Sequence, residues 1–305
     1  MHYAYNITEG NPLKNRQRST RMAVFYNQAN LSYNGGNTNS NIVAGEILEV
    51  LSMNKTAINP TYGAGDTVTY AVNIINSGTT PITGLTLTDN LGEYTVGTAT
   101  VVPLSYVDGT VTYYQNGVLQ PDPTVSATSP LTVTGITVPA GGNTTIIYSA
   151  TANEGAPLAQ GSTIVNTAVI TGDSVTVPLS AQGTVTVETE PVLTISKGIN
   201  PTTVTENSPI TYTFTIQNLG NREAVSTDNV VITDSFNPIL ENITVTINGT
   251  PAVEGTDYTY DTATGLFTTV AGVITVPEAT YTQNPTTGEW TVTPGTSVVV
   301  VNGTV

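Results

Sequence analysis

The chain has 305 residues, which at roughly 150 residues per domain suggests two domains. Seven Lys and Arg against 22 Asp and Glu give a net charge of −15, and only 10% of residues are charged. An acidic surface argues against nucleic acid and anionic membranes as partners, since both need Lys and Arg to neutralise phosphate. The absence of cysteine excludes disulfides and thiolate metal sites. A single histidine, His2, leaves almost no room for His-dependent triads or multi-His metal centres. No cofactor and no metal is expected, and the composition argues against an enzyme.

Residues 1–21 form a compositionally foreign leader that is expected to be disordered. They hold Lys14, Arg16, Arg18 and Arg21, four of the seven basic residues. The apolar stretch after Arg21 is too short for a secretory signal, which needs roughly 7–15 apolar residues. Met22 is then either the natural start or the first residue beyond a basic tail. No run approaches the ~20 apolar residues that span a bilayer.

From residue 23 onward, short Thr/Val/Ile/Tyr runs alternate with period two and are broken by Gly, Pro, Asn and Asp about every ten residues. This is the pattern of an all-β sandwich. Clear strands lie over 67–75, 84–89 and 211–216, with others over 174–177 and 230–234, while 44–53 reads as strand or weak helix. The text also repeats. Lys55 and Asn59-Pro60 recur as Lys197 and Asn200-Pro201, Tyr70 as Tyr212, and Asn76-Ser77-Gly78 as Asn218-Leu219-Gly220. The offset is 142 for the lysines (197 − 55), the tyrosines (212 − 70) and the asparagines (218 − 76). It becomes 145 at the aspartates that end the next strand (234 − 89). Two copies of one sandwich follow in series, domain 1 over 51–190 and domain 2 over 191–305, joined by a short stiff linker at Pro191.

These residues resemble the bacterial surface-protein repeat known as domain of unknown function eleven. That repeat opens with a Lys-bearing strand and an Asn-Pro or Ser-Pro turn, continues with a Thr-x-Tyr strand ending Asn-x-Gly, and then a strand ending in Asp. The resemblance covers about residues 51–305. It implies tandem immunoglobulin-like sandwiches in extracellular fibres, stalks or adhesins, and no enzymatic activity.

The second copy is cut short. Domain 1 continues past the strand around Thr144–Ala150 to Ile164–Thr171 and Thr184–Val187, whereas domain 2 stops after the strand at Thr296–Asn302. The missing text is found at the other end of the chain. Phe25, Asn27, Ala29 and Leu31 match Ile164, Asn166, Ala168 and Ile170 at alternate positions, and the run continues to Tyr33. Residues 22–50 therefore read as an N-terminal donor-strand arm that completes domain 2 of a second copy, a form of β-augmentation. Because donor and acceptor lie at opposite ends, the contact is head-to-tail and extends into an open fibre. The competing reading is an arm folded back in cis or a plain extra edge strand.

Beyond the leader the only lysines are Lys55 and Lys197. A lysine in the first strand, an Asn in a late strand and an acid between them resemble the set of collagen-adhesin-type domains, where lysine and asparagine fuse into an isopeptide bond. The resemblance implies Lys55, Asp89 and Asn166 in domain 1. In domain 2 it implies Lys197 and Asp234, with Asn27 supplied by the next subunit and Asn41 as the alternative donor. Such chemistry needs a desolvated, nucleophilic lysine. Otherwise both lysines are exposed strand residues and both aspartates cap strand-to-turn transitions. Turns at Asp108 and Asp261 lack the acidic spacing of calcium loops, and Asn242 and Asn248 are chance glycosylation matches.

The sequence thus points to a structural subunit of a cell-surface or spore-surface fibre whose partner is itself, extracellular but without a classical signal peptide. The alternatives are a monomeric adhesin or glycan-binding module, and a phage structural protein.

Overall fold

The computed structural model describes residues 22–48 and 50–305; the leader lies outside them. Apart from a single 3-10 turn at Ser226–Asp228, the regular structure described is all β. It forms an arm and two sandwich units, each with its own apolar core.

The arm holds four strands: β1 (Met22–Asn27), β2 (Asn30–Tyr33), β3 (Gly36–Asn39) and β4 (Val43–Leu48). β1 pairs antiparallel with β4, and β2 with β3. Of the stretch 44–53, residues 44–48 and 51–53 are strand, each part finding its own ladder partner in β1 or in the next long strand of the chain.

Domain 1 begins with β5 (Leu51–Ala57), β6 (Thr61–Tyr62), β7 (Thr67–Asn76) and β8 (Ile82–Asp89). It continues with β9 (Tyr94–Val96), β10 (Ala99–Val101), β11 (Leu104–Tyr106), β12 (Thr112–Gln115) and β13 (Val118–Gln120). β14 (Thr124–Thr128), β15 (Leu131–Val138), β16 (Asn143–Ala152), β17 (Thr163–Thr171) and β18 (Leu179–Val187) complete it. One sheet has the order β13-β12-β16-β7-β5 and the other β14-β15-β8-β17-β18-β6. In β7 and β16 alternate residues are buried, so each sheet presents one apolar face to the other and the core lies between them. The strand expected over 174–177 is instead a turn, closed by the Val175 N–H on the Gly172 carbonyl at 2.9 Å. Gly172 and Asp173 favour a turn there, and Pro178 has no N–H to extend a ladder.

Domain 2 contains β19 (Leu193–Asn200), β20 (Pro209–Asn218), β21 (Thr233–Ser235), β22 (Glu241–Ile247) and β23 (Thr250–Pro251). β24 (Tyr258–Asp261), β25 (Leu266–Thr269), β26 (Thr280–Gln283), β27 (Trp290–Thr293) and β28 (Gly295–Thr304) follow. Its first sheet, β19-β20-β28-β22-β23, repeats the first sheet of domain 1. Its second is only β21-β25-β24. The strand expected over 230–234 is shortened to β21, because Asn229 is left-handed with φ 53° and the strand has a ladder on one side only. The turn Asp261–Gly265 closes the β24–β25 hairpin.

The β26–β27 hairpin reaches back to domain 1. Its Gln283 Nε2 and Trp290 Nε1 donate to Tyr94 Oη at 2.7 and 3.3 Å, and the Thr98 N–H donates to the Pro285 carbonyl at 3.0 Å.

Candidate functional site

The repeated motifs place the same groups in both domains. Lys55 stands opposite Val72, two residues from Tyr70, and Lys197 stands opposite Phe214, two residues from Tyr212. Asn76 and Asn218, both fully buried, fold their side chains onto the N–H groups of Gly78 and Gly220 at 2.9 Å. This Asx turn is why the Asn-x-Gly signature recurs at the end of β7 and β20.

In domain 1 the three residues implied by the isopeptide resemblance come together in the core. Lys55 is on the edge strand of one sheet; Asp89 and Asn166 are on neighbouring strands, β8 and β17, of the other. Lys55 Nζ donates to Asp89 Oδ2 at 2.6 Å, and neither side chain has solvent exposure. Tyr148 Oη donates to the same Asp89 oxygen. Asn166 Nδ2 in turn donates to Tyr148 Oη at 3.3 Å. The Asn166 Oδ1 accepts the Gly92 N–H at 3.2 Å, while Asp89 Oδ1 accepts the Leu91 N–H at 3.0 Å. Lys55 Nζ lies 4.6 Å from the ring centre of Tyr70 and 5.9 Å from that of Tyr148. Opposite Asn166, on β18, is Gly183. A Cβ there would sit 3.1 Å from Tyr70 and 3.3 Å from the Lys55 stem, so the glycine makes room for both.

Burial dominates the electrostatics. Desolvation lowers the Lys55 ammonium to about 8, against the opposing pull of Asp89. Burial, with Asp89 beside it, pushes the Tyr148 phenol well above its ordinary range, so its proton stays available for donation. A buried amine whose hold on its proton is weakened by desolvation is hydrogen-bonded here to a carboxyl group that is linked through Tyr148 to an amide, which are the group types that acyl transfer from amide to amine requires.

In domain 2 Lys197 Nζ donates to Asp234 Oδ2, and it lies 4.5 to 5.5 Å from the rings of Tyr212, Phe236 and Phe214. Here the site is open: the Lys197 side chain is 39% exposed and that of Asp234 20%. In domain 1, β17 and β18 lie along the free side of β8 and close over β5. Among the described residues β21 has no neighbour on that side. The inner row of β5, Leu51, Met53 and Ala57, packs on the core. Its counterparts Leu193, Ile195 and Ile199 are exposed, Ile195 at 58%.

The arm residues are not at that groove. Asn27 pairs opposite Val43 at the end of β1. Asn27, Ala29, Leu31, Tyr33 and Asn41 are all exposed, and Phe25 stands opposite Gly45, its side chain outside those described. The sequence reading missed Tyr148 and Gly92. Tyr148 is detectable only by aligning β16 with β28, where Val301 takes the place opposite Tyr212 that Tyr148 takes opposite Tyr70.

No protein-family model matches the chain, and no curated protein matches it. Among solved structures it is similar to the major pilin subunit of Bacillus cereus, at 12% identity and a TM-score of 0.36, over 88% of this chain and 70% of that one. It is also similar to the pilus backbone protein of Streptococcus pneumoniae, at 14% identity and a TM-score of 0.32, over 80% of this chain and 55% of that one. A family 123 glycoside hydrolase from Clostridium perfringens matches at 9% identity and a TM-score of 0.31 over 46% of this chain, which spans only 27% of that chain's length. Among the described residues no helix is long and apolar enough to cross a membrane, and no group of His, Cys, Asp and Glu is placed to hold a metal ion.

Proposed function

We propose that the protein is a structural subunit of a cell-surface or spore-surface fibre, built of repeats of the domain-of-unknown-function-eleven type. Subunits join head-to-tail when the arm of one copy completes domain 2 of the next. Domain 1 is locked internally by an isopeptide bond between Lys55 and Asn166, with Asp89 assisting.

The observation that carries this reading is the open face of domain 2. An exposed apolar row beside an unpaired strand edge is a template for a further strand. The arm supports itself as occupant, because Asn27, Ala29 and Leu31 repeat the spacing of Asn166, Ala168 and Ile170 on the strand that closes the same face of domain 1. Covering Ile195 and Ile199 contributes on the order of 1.5–3 kcal/mol per fully buried side chain, before backbone pairing is counted. Docking would bring Asn27 to Lys197 and Asp234, giving the junction the lysine, acid and asparagine of domain 1, with Val301 standing where domain 1 has Tyr148.

Electron microscopy of the full chain and of a chain lacking residues 22–50 tests the assembly. The full chain forms filaments and the shortened one does not. A peptide spanning Phe25 to Gly36 blocks growth of the full chain. Filaments from the shortened chain would refute strand donation.

A further inference from the structure

The cross-link in domain 1 needs more than a lysine, an acid and an asparagine. The amide nitrogen of Asn166 must leave as ammonia, so it must gain a proton while its carbonyl oxygen carries negative charge. Asp89 has no hydrogen bond to the Asn166 amide: its Oδ2 accepts from Lys55 and Tyr148, and its Oδ1 from the Leu91 N–H. The group hydrogen-bonded to the leaving nitrogen is the Tyr148 hydroxyl, at 3.3 Å, while the neighbouring Tyr70 hydroxyl makes no hydrogen bond. The group that touches the carbonyl oxygen is the Gly92 N–H, at 3.2 Å.

Resting on the cross-linking reading above, we infer that Tyr148 is a catalytic residue of the bond-forming step, relaying a proton from Asp89 to the departing Asn166 nitrogen, and that the Gly92 N–H holds the oxyanion. The atoms balance. The neutral Lys55 amine attacks Cγ of Asn166, and the carbonyl electron pair moves to Oδ1 beneath the Gly92 N–H. The attacking nitrogen gives a proton to Asp89 Oδ2. Tyr148 passes its own proton to Nδ2 and takes the one on Asp89. The Cγ–Nδ2 bond breaks, ammonia leaves, the carbonyl reforms, and one Nζ–Cγ amide remains.

Backbone geometry fixes both donors. Leu91 and Gly92 have φ of 53° and 76°, which turns two consecutive N–H groups inward, one to Asp89 and one to Asn166. The adjacent Asn90 exchanges hydrogen bonds with Thr167, its N–H reaching the Thr167 carbonyl at 3.0 Å and its Oδ1 accepting the Thr167 N–H at 2.9 Å. The turn is thereby held against the strand that carries Asn166. Tyr148 is held by stacking on Tyr70, with ring centres 5.7 Å apart. At the corresponding place in domain 2, Val301 offers no hydroxyl.

The full chain, made by cell-free synthesis and sampled over time, is followed by intact mass and by peptide mapping of the Lys55–Asn166 join. In wild type each chain loses one ammonia from this pair. In Tyr148→Phe the loss slows on the order of a hundredfold, the usual contribution of a positioned proton donor. Calorimetry of the same sample shows whether Tyr148→Phe has folded. Should it not fold, tyrosine fluorinated on the ring is placed at 148 by codon suppression. It keeps the shape, sharpens the acidity and raises the rate. A wild type that joins Lys55 to Asn166 while Tyr148→Phe, folded, joins them equally fast overturns the tyrosine role and leaves the cross-link standing. The fluorinated chain reacting at an unchanged rate does the same. A wild type that never loses ammonia overturns the cross-link itself.

Discussion

Replacing Asn166 by alanine tests the internal bond proposed for domain 1. Lys55 and Asn166 are 111 residues apart (166 − 55), and a covalent link closing a loop of that length removes enough unfolded-state entropy to stabilise by roughly 5 kcal/mol. The substitution also removes the amide that binds the Gly92 N–H and Tyr148, at a cost of about 1–3 kcal/mol for buried groups left unpaired. Domain 1 spans 140 residues (190 − 51 + 1), so its unfolding entropy near the midpoint is roughly 0.3 kcal/mol/K. The loss of the link alone then lowers its Tm by roughly 15 °C, and the hydrogen bonds lower it by about 3–10 °C more. Scanning calorimetry on the full chain measures this, with intact mass on the same sample. The domain 2 transition should stay in place, because Lys197, Asp234 and their aromatic neighbours are untouched. A drop below about 10 °C, with wild type at its unmodified sequence mass, is what hydrogen bonds alone would give, and it would refute the covalent reading of domain 1.

Two further outcomes follow from the same geometry. Lys197→Ala chains should still assemble through apolar burial and backbone pairing, yet their filaments should fall apart in hot detergent where wild-type filaments persist; equal resistance would remove the covalent step from the junction. In single-molecule pulling between Leu51 and Val187, the bonded domain hides 111 of the 136 intervening residues (187 − 51), so it should lengthen by roughly 9 nm where Asn166→Ala lengthens by roughly 48 nm, at about 3.5 Å per residue.

Much of this site was legible in the sequence because a duplication supplies its own control. Lys55 and Lys197 share an offset with Tyr70/Tyr212 and with the Asn-x-Gly turns, and a constant offset means constant ladder register, so the lysines had to face equivalent neighbours. The aspartates broke the offset by three residues yet still reach their lysines, since the loops before β8 and β21 absorb the difference. Tyr148 was hidden for the opposite reason. A tyrosine in an alternating strand reads as packing, and only the pairing of β16 on β7 shows its hydroxyl aimed at Asp89. The strand expected over 230–234 failed because strand propensity describes a residue with neighbours on both sides, and β21 has one ladder. The β26–β27 hairpin has no counterpart in domain 1, so the repeat could not announce it.

The difference between the two sites sets an order of events. Domain 1 carries all of its parts on one chain, and folding alone excludes water from Lys55 and brings Asp89, Tyr148 and Asn166 into contact. Domain 2 holds its lysine and aspartate in the same register, but water still reaches both, and the desolvation that acts on Lys55 is not in place. In the proposed junction a donated strand would supply two things at once: the cover that removes water and the amide for Lys197 to attack. A site that stays inert until its partner arrives cannot react with itself in a free subunit. On the proposed reading, the openness that exposes Leu193, Ile195 and Ile199 would confine bond formation at Lys197 to the assembled junction, while domain 1, closed over Lys55 on its own chain, would form its bond on folding.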